Sequence, residues 1–171
     1  DSEYGAMPDW DVSNVTNMFN AFKDKTQFNA NISTWVTSNV TIMSGMFRNA
    51  VSFNQPIGGW DVSNVTTMAW MFQDASIFNQ TIGDWNVSSV TDMGNMFLYA
   101  IAFNQPIGGW DVSNVTYMGN MFSNASLFNQ PLNNWDTSSV NYMNGMFSVD
   151  FNKISVFNQP IDDWDVSNVT N

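Results

Sequence analysis

Tryptophan returns along this chain with a fixed period. Trp10, Trp35, Trp60, Trp85, Trp110 and Trp135 are each 25 residues apart, and Trp164 follows after 29. With Trp as position 1, the best copies read W-D-V-S-N-V-T-x-M-x-x-M-F-x-x-A-x-x-F-N-Q-P-I-G-G. Six full repeats occupy 10–163, the first part of a seventh occupies 164–171, and 1–9 reads as the degraded tail of a preceding copy. Met7 stands there where later copies carry Ile or Leu. A period of this length is the mark of a stacked repeat array, so residues 1–171 are expected to form a single solenoid domain.

The copies act as an internal alignment. Ser holds position 4 in every copy (Ser13 to Ser167), Val position 6 (Val15 to Val169) and Met position 9 (Met18 to Met143). Phe-Asn recurs at positions 19 and 20, from Phe28-Asn29 to Phe157-Asn158. Columns this strict are what stacking demands, because each side chain packs on its own counterpart one rung away.

Two periodicities coexist within a repeat. Trp60 and Val62 alternate with Asp61 and Ser63, which predicts a short strand with one buried face. Val65, Met68, Phe72 and Ala75 then fall at i, i+3, i+7 and i+10, which predicts a short amphipathic helix with Thr66 at its N-cap. Phe-Asn-Gln-Pro-Ile-Gly-Gly supplies the returning turn. The expected fold class is an α/β repeat solenoid with one short parallel strand and one short helix per repeat.

Composition removes several functions. The chain lacks His and Cys, so neither a Ser-His nor a Cys-His nucleophile pair nor an imidazole or thiolate metal site is available. No cofactor, no metal and no catalytic residue is expected, and the chain reads as a non-enzyme. A net charge of −11 opposes phosphate backbones and so argues against nucleic acid as a partner. The longest apolar runs, such as Met68 to Phe72, are too short to insert in a membrane.

The run Ile-x-x-Trp-Asp-Val-Ser-Asn-Val has the apolar spacing of the leucine-rich-repeat consensus, with Val where that consensus usually places Asn. The full unit, W-D-V-S-N-V-T with M-F-x-x-A and F-N-Q-P-I, closely resembles the BspA-like leucine-rich-repeat surface proteins over residues 10–171. The resemblance implies a right-handed leucine-rich-repeat-like solenoid, a cell-surface or extracellular location, and roles in adhesion or surface architecture. Departures are local: Val36 replaces Asp at position 2, Lys25 replaces Ala at position 16, and the sixth copy carries four extra residues.

Two residue sets stand out as candidate sites. Asp11, Asp61, Asp111, Asp136 and Asp165 form a column at position 2, interrupted by Val36 and Asn86. With Trp70, the one tryptophan outside the Trp column, they make a candidate partner face. A carboxylate ladder also raises the question of Ca²⁺, against the plainer reading of a solvated strand face. The second set is the N-x-[ST] sequons, which are glycosylation candidates if the source is a eukaryote. Asn14, Asn39, Asn64, Asn114 and Asn168 belong to the repeat's own N-V-T, and Asn79 belongs to the Phe-Asn column. Asn31, Asn86 and Asn124 lie where the repeat does not call for Asn. The insertion around Ser148 to Lys153 is expected to bulge outward.

Trp164 to Thr170 repeats the Trp-Asp-Val motif without its continuation, so further chain or another molecule is expected to cover that edge. The sequence therefore predicts a non-catalytic extracellular structural or adhesive glycoprotein that self-associates end to end into a filament or surface layer. The alternative is a recognition module that binds a host or matrix protein through the Asp/Ser face.

Overall fold

The computed structural model describes residues 7–171. The degraded tail before Met7 lies outside the described residues. Among them the one regular helix is a single 3₁₀ turn, Met7–Asp9. The rungs are built of successive turns, joined by isolated parallel bridges that run Asn17, Ile42, Thr67, Asp92, Tyr117, Tyr142. This overturns the expected α/β solenoid: neither a strand nor an α-helix forms in each repeat. The right-handed leucine-rich-repeat architecture loses its basis with them.

The strand fails because position 2 captures its own backbone. Asp61 Oδ1 accepts the Ser63 N–H at 3.0 Å and the Ser63 hydroxyl at 2.6 Å, and the Val65 N–H donates to the Val62 carbonyl at 2.9 Å. These bonds bend Asp-Val-Ser-Asn into a turn and use groups that a strand would offer to its neighbour. Trp60 and Val62 are both buried as the alternation suggested, but on the inside of a bend.

The helix fails for a different reason. In an α-helix each N–H reaches the carbonyl four residues back. Here alternate N–H groups leave the rung. Those of Met68, Trp70, Phe72 and Asp74 donate to the carbonyls of Asp92, Gly94, Met96 and Leu98 in the next rung. Between them, the N–H groups of Met71, Gln73 and Ala75 donate three residues back, to Met68, Trp70 and Phe72. The pattern requires left-handed backbone at positions 11 and 15. Asn20, Gly45, Trp70, Asn95, Asn120 and Gly145 have φ between 54° and 64°, and Asp24, Asn49, Asp74, Tyr99 and Asn124 have φ between 57° and 61°. Such residues cannot continue a right-handed helix. Asn, Asp and Gly tolerate that region best, which is why they dominate both columns.

Thr66 caps no helix. Its N–H and its hydroxyl both donate to the Thr41 carbonyl of the preceding rung, at 2.9 and 3.2 Å, and Thr41, Thr91 and Thr116 repeat the arrangement. The position-7 column is thus a ladder between rungs.

The core lies inside this coil of turns. Within a rung the two Phe rings stack, as Phe47 and Phe53 do at 3.9 Å, and each stacks on its counterpart in the next rung, Phe47 on Phe72 at 5.6 Å and Phe53 on Phe78 at 5.9 Å. The Trp column runs beside them, Trp35 on Trp60 at 6.4 Å with 4° between planes. Near-parallel rings at these separations are offset stacks. A second ladder ties the amides: the Asn79 N–H donates to Asn54 Oδ1 at 2.9 Å and the Asn104 N–H to Asn79 Oδ1 at 2.9 Å, while Gln80 and Gln105 add side-chain bonds to the same oxygens. Among the described residues no buried side-chain nitrogen or oxygen lacks a partner. Each fully buried side-chain polar atom there has a hydrogen bond in place of water.

Candidate functional site

Position 2 places Asp11, Asp61, Asp111, Asp136 and Asp165 on the solvent face, each on a separate rung. Every one of these carboxylates is engaged by the Ser two residues on. The Ser13 and Ser167 N–H groups donate at 2.9 Å, and Ser113 and Ser138 donate both N–H and O–H as Ser63 does. Bonds from the Ser hydroxyl and N–H hold the carboxyls of Asp61, Asp111 and Asp136 below the ordinary carboxylate value, because they favour the charged form. Asn86 takes the same role with its amide oxygen, accepting from the Ser88 N–H at 3.2 Å and hydroxyl at 2.7 Å. The column is thus a turn-forming series whose outer carboxylate oxygens face water. Val36, at the interruption, is itself exposed. Among the described residues no group of three or more carboxylates gathers as metal ligands would.

Trp70 is 40 % exposed and stands at φ 58°, a backbone region that costs a bulky residue about 1 kcal/mol or more. It lies on the position-11 edge, away from the position-2 column in sequence and in rung register.

The sequons divide by what the amide nitrogen does. Asn39, Asn64, Asn114 and Asn168 are exposed, but their Nδ2 donates to the carbonyls of Ser13, Ser38, Ser88 and Ser138 in the preceding rung, at 2.7 to 2.8 Å. One amide hydrogen of each is therefore committed to the stack. Asn14 and Asn79 are exposed, with Asn79 Oδ1 serving the amide ladder. Asn31 and Asn86 are exposed and use only Oδ1, Asn31 accepting the Ser33 N–H at 3.0 Å. Asn124 differs: it is buried, and its Nδ2 faces Asp150 Oδ1 at 3.1 Å and Ser123 Oγ at 3.3 Å. That leaves no room at its nitrogen for a glycan in the folded chain.

Asn124 belongs instead to a cluster that sequence reasoning did not find. The insertion does not simply bulge outward: it folds back along position 15. The Tyr99 hydroxyl donates to Asp150, 2.8 Å from Oδ1 and 2.9 Å from Oδ2, across 51 residues. The Asp150 N–H donates to Asn124 Oδ1 at 2.9 Å, and Lys153 pairs with Asp150 at 3.0 Å while lying 5.3 Å from the Tyr99 ring centroid. Hydrogen bonds from Lys153 and Tyr99 lower the Asp150 pKa, and the bond to Asp150 raises that of Tyr99. Phe151 is 94 % exposed on this anchored loop. The available signal was Tyr99 itself, an aromatic in a column that reads Asp24, Asn49, Asp74 and Asn124 in the other rungs ahead of the insertion.

A second missed group lies at position 8, which the repeat pattern leaves variable. Tyr117 and Tyr142 pack at 5.5 Å between ring centroids, beside half-buried Asp92, whose carboxyl is pushed up by burial against the lowering effect of its bond from the Gly94 N–H.

A comparison with curated proteins and another with solved structures found no match. A family model described as a Mycoplasma protein of unknown function, DUF285, matches three overlapping stretches, 2–107, 57–150 and 76–171. Overlapping matches to one model are what a tandem array produces, since each window of rungs resembles the next. This chain is a repeat protein and belongs to the DUF285 family.

Proposed function

We propose that this protein is a non-catalytic structural or adhesive component of a cell surface whose rungs stack head to tail, one copy on the next. One observation carries the reading: the rung edges are polar and complementary. Along positions 9 to 15 the N–H groups of each rung point to the carbonyls of the rung after it. Gly145 and Phe147 in the sixth rung therefore present N–H groups with no acceptor among the described residues, and Phe19, Ala21 and Lys23 in the first present carbonyls with no donor among them. Further repeats or a second copy satisfy these groups equally, because the direction of the ladder is the same. Donors open at one end and acceptors at the other favour head-to-tail over head-to-head contact, and a heterologous contact that does not close makes a filament.

The extracellular or cell-surface location rests on the resemblance to surface repeat proteins and on the exposed off-pattern sequons, Asn31 and Asn86. Sedimentation velocity over a concentration series tests the stacking. Mass should rise with concentration. A monomer at every concentration rules the reading out. Surface labelling of intact source cells tests the location.

The recognition alternative uses the Asp/Ser face, favoured by the outer carboxylate oxygens that the Ser bonds leave free. Alanine at Asp61, Asp111 and Asp136 separates the two readings, since it removes that face and leaves the rung edges untouched.

A further inference from the structure

The position-8 column carries a pair of aromatic rings, Tyr117 and Tyr142, that the fold leaves only partly buried, and glycine lies beside the Tyr117 ring. Position 10 carries Phe19, Ser44, Ala69 and Asn144 in other rungs but Gly94 and Gly119 on either side of Tyr117. A Cβ on Gly94 would collide with the Tyr117 ring and stand 3.2 Å from Asp92 Oδ1. A Cβ on Gly119 would stand 2.9 Å from Asn144 Oδ1 and 3.0 Å from the Tyr117 hydroxyl. The two glycines let the ring lie down on the rungs between a carboxylate at one side and a carboxamide at the other. Tyr142 extends the surface by one rung and is 44 % exposed.

We propose that Tyr117 and Tyr142, flanked by Asp92 and Asn144, form a binding platform for a neutral glycan. A pyranose has a face of C–H groups and a rim of hydroxyls. The C–H face suits the electron-rich face of a tyrosine ring. The hydroxyls need acceptors at the rim, and Asp92 and Asn144 provide oxygens there. Asp92 is half-buried, so a hydrogen bond to it is strengthened by the low local dielectric. The net charge of −11 selects against anionic sugars. The platform lies at positions 8 and 10, apart from the Asp column at position 2, and is formed within one copy of the chain.

The test uses NMR on the chain with labelled tyrosine, titrated with soluble cello- and chito-oligosaccharides, a sialylated oligosaccharide and a proline-rich peptide. One of the two neutral oligosaccharides should shift the Tyr117 and Tyr142 ring resonances with a Kd of about 1 mM or tighter, the range expected of a small open platform. Tyr142→Ala should weaken that binding at least about tenfold, Tyr142→Phe should retain it, and the Asp61→Ala, Asp111→Ala, Asp136→Ala variant should bind as the parent does. Tyr142 projects from the surface, so its replacement leaves the fold intact, which an unchanged far-ultraviolet spectrum verifies. Ring resonances that neither neutral oligosaccharide moves overturn the proposal. So does a response to the proline-rich peptide alone, or undiminished binding by Tyr142→Ala.

Discussion

The indole N–H of Trp60 donates to the backbone carbonyl of Ile32, 3.1 Å away and 28 residues earlier. Trp85, Trp110 and Trp135 repeat the bond to Ile57, Ile82 and Ile107 at 3.1 to 3.2 Å. Each of these carbonyls also accepts the main-chain N–H three residues on, as Ile32 does from Trp35. Tryptophan is thus required for two properties at once: a large stacking ring and a donor that reaches into the neighbouring rung.

Replacing Trp85 separates the two. Trp85→Phe keeps a ring in the stack and removes the donor; the Ile57 carbonyl retains its bond from Trp60, so the loss should be about 1–2 kcal/mol. Trp85→Ala opens a cavity in the column and should cost about 3–5 kcal/mol. Urea unfolding of both variants checks the order and the gap between them.

The period was legible because Trp, Ser, Val and Met recur without exception, and the core members Trp60, Val62, Met68 and Phe72 were correctly placed inside. The local structure was not. Val65, Met68, Phe72 and Ala75 have the spacing of a helix, but a coil of consecutive turns buries the same positions. The discriminating residues were the unremarked ones between them: Asn20, Gly45, Asn95 and Asn120 in one column, Asp24, Asn49 and Asp74 in the other. Their tolerance of positive φ marks where each turn ends. Tyr99 and Asp150 could not be joined by any local pattern, since the contact spans 51 residues and depends on the rung count.

Position 11 yields the next prediction. Trp70 is held at φ 58° in a column where Asn and Gly are the usual occupants, and its side chain is partly in water. Trp70→Asn should therefore stabilise the chain by about 1 kcal/mol, through relief of backbone strain. Gly45→Ala should do the reverse by a similar or larger amount, because Gly45 has φ 64° and an added Cβ would collide with Asn20 Oδ1. Thermal melts of the pair, run under identical conditions, check the opposite signs.

Acid should weaken the stack through the position-2 turns. An unfolded aspartate titrates near about 3.9, and the Ser bonds hold Asp61, Asp111 and Asp136 lower than that in the fold. Their stabilisation is present above the unfolded value and is lost as pH falls through the folded ones. These carboxylates are exposed, so the effect per residue is small. Asp92 has the opposite sign: burial raises its pKa, so its contribution is present below the unfolded value and is lost as pH rises through the folded one. Asp92→Asn should consequently melt slightly higher than the parent at neutral pH, by a few tenths of a kcal/mol, and the advantage should vanish in acid. Melting temperature against pH for parent and variant measures both slopes.

The Tyr99 to Asp150 contact predicts a local effect without a global one. Tyr99→Phe removes the donor that spans both carboxylate oxygens while leaving the ring beneath Lys153. Amide exchange should accelerate in the insertion, at Asp150 to Lys153, and stay unchanged at Met93 and Met118, whose bonds lie in the ladder. A matching acceleration throughout the core would mean the insertion supports the whole stack.

Register sets the strictest demand. Ahead of the insertion, the main-chain bonds between neighbouring rungs join residues 24, 25 or 26 apart, the indole bonds join residues 28 apart, and the columns repeat at 25. Deleting residues 60–84, one whole repeat, therefore rejoins Gly59 to Trp85 with each column intact. The shortened chain should fold cooperatively, with a denaturant m-value reduced roughly in proportion to the surface removed. Deleting 60–83 removes one residue fewer and leaves Asp84 as an extra residue in the tight turn between Ile57 and Trp85. The insertion after Ser148 leaves Trp164 stacked on Trp135, so a rung tolerates extra chain where it can loop out; the turn from Ile57 is closed by a bond three residues on, from the Trp60 N–H, and has no such slack. That variant should unfold at lower denaturant than the 60–84 deletion. Near-ultraviolet circular dichroism, which reports the packed Trp column, distinguishes the two: a native-like spectrum for the 60–84 deletion and a weakened one for the 60–83 deletion is the expected result, and equal spectra and midpoints would show that this turn does not set the register.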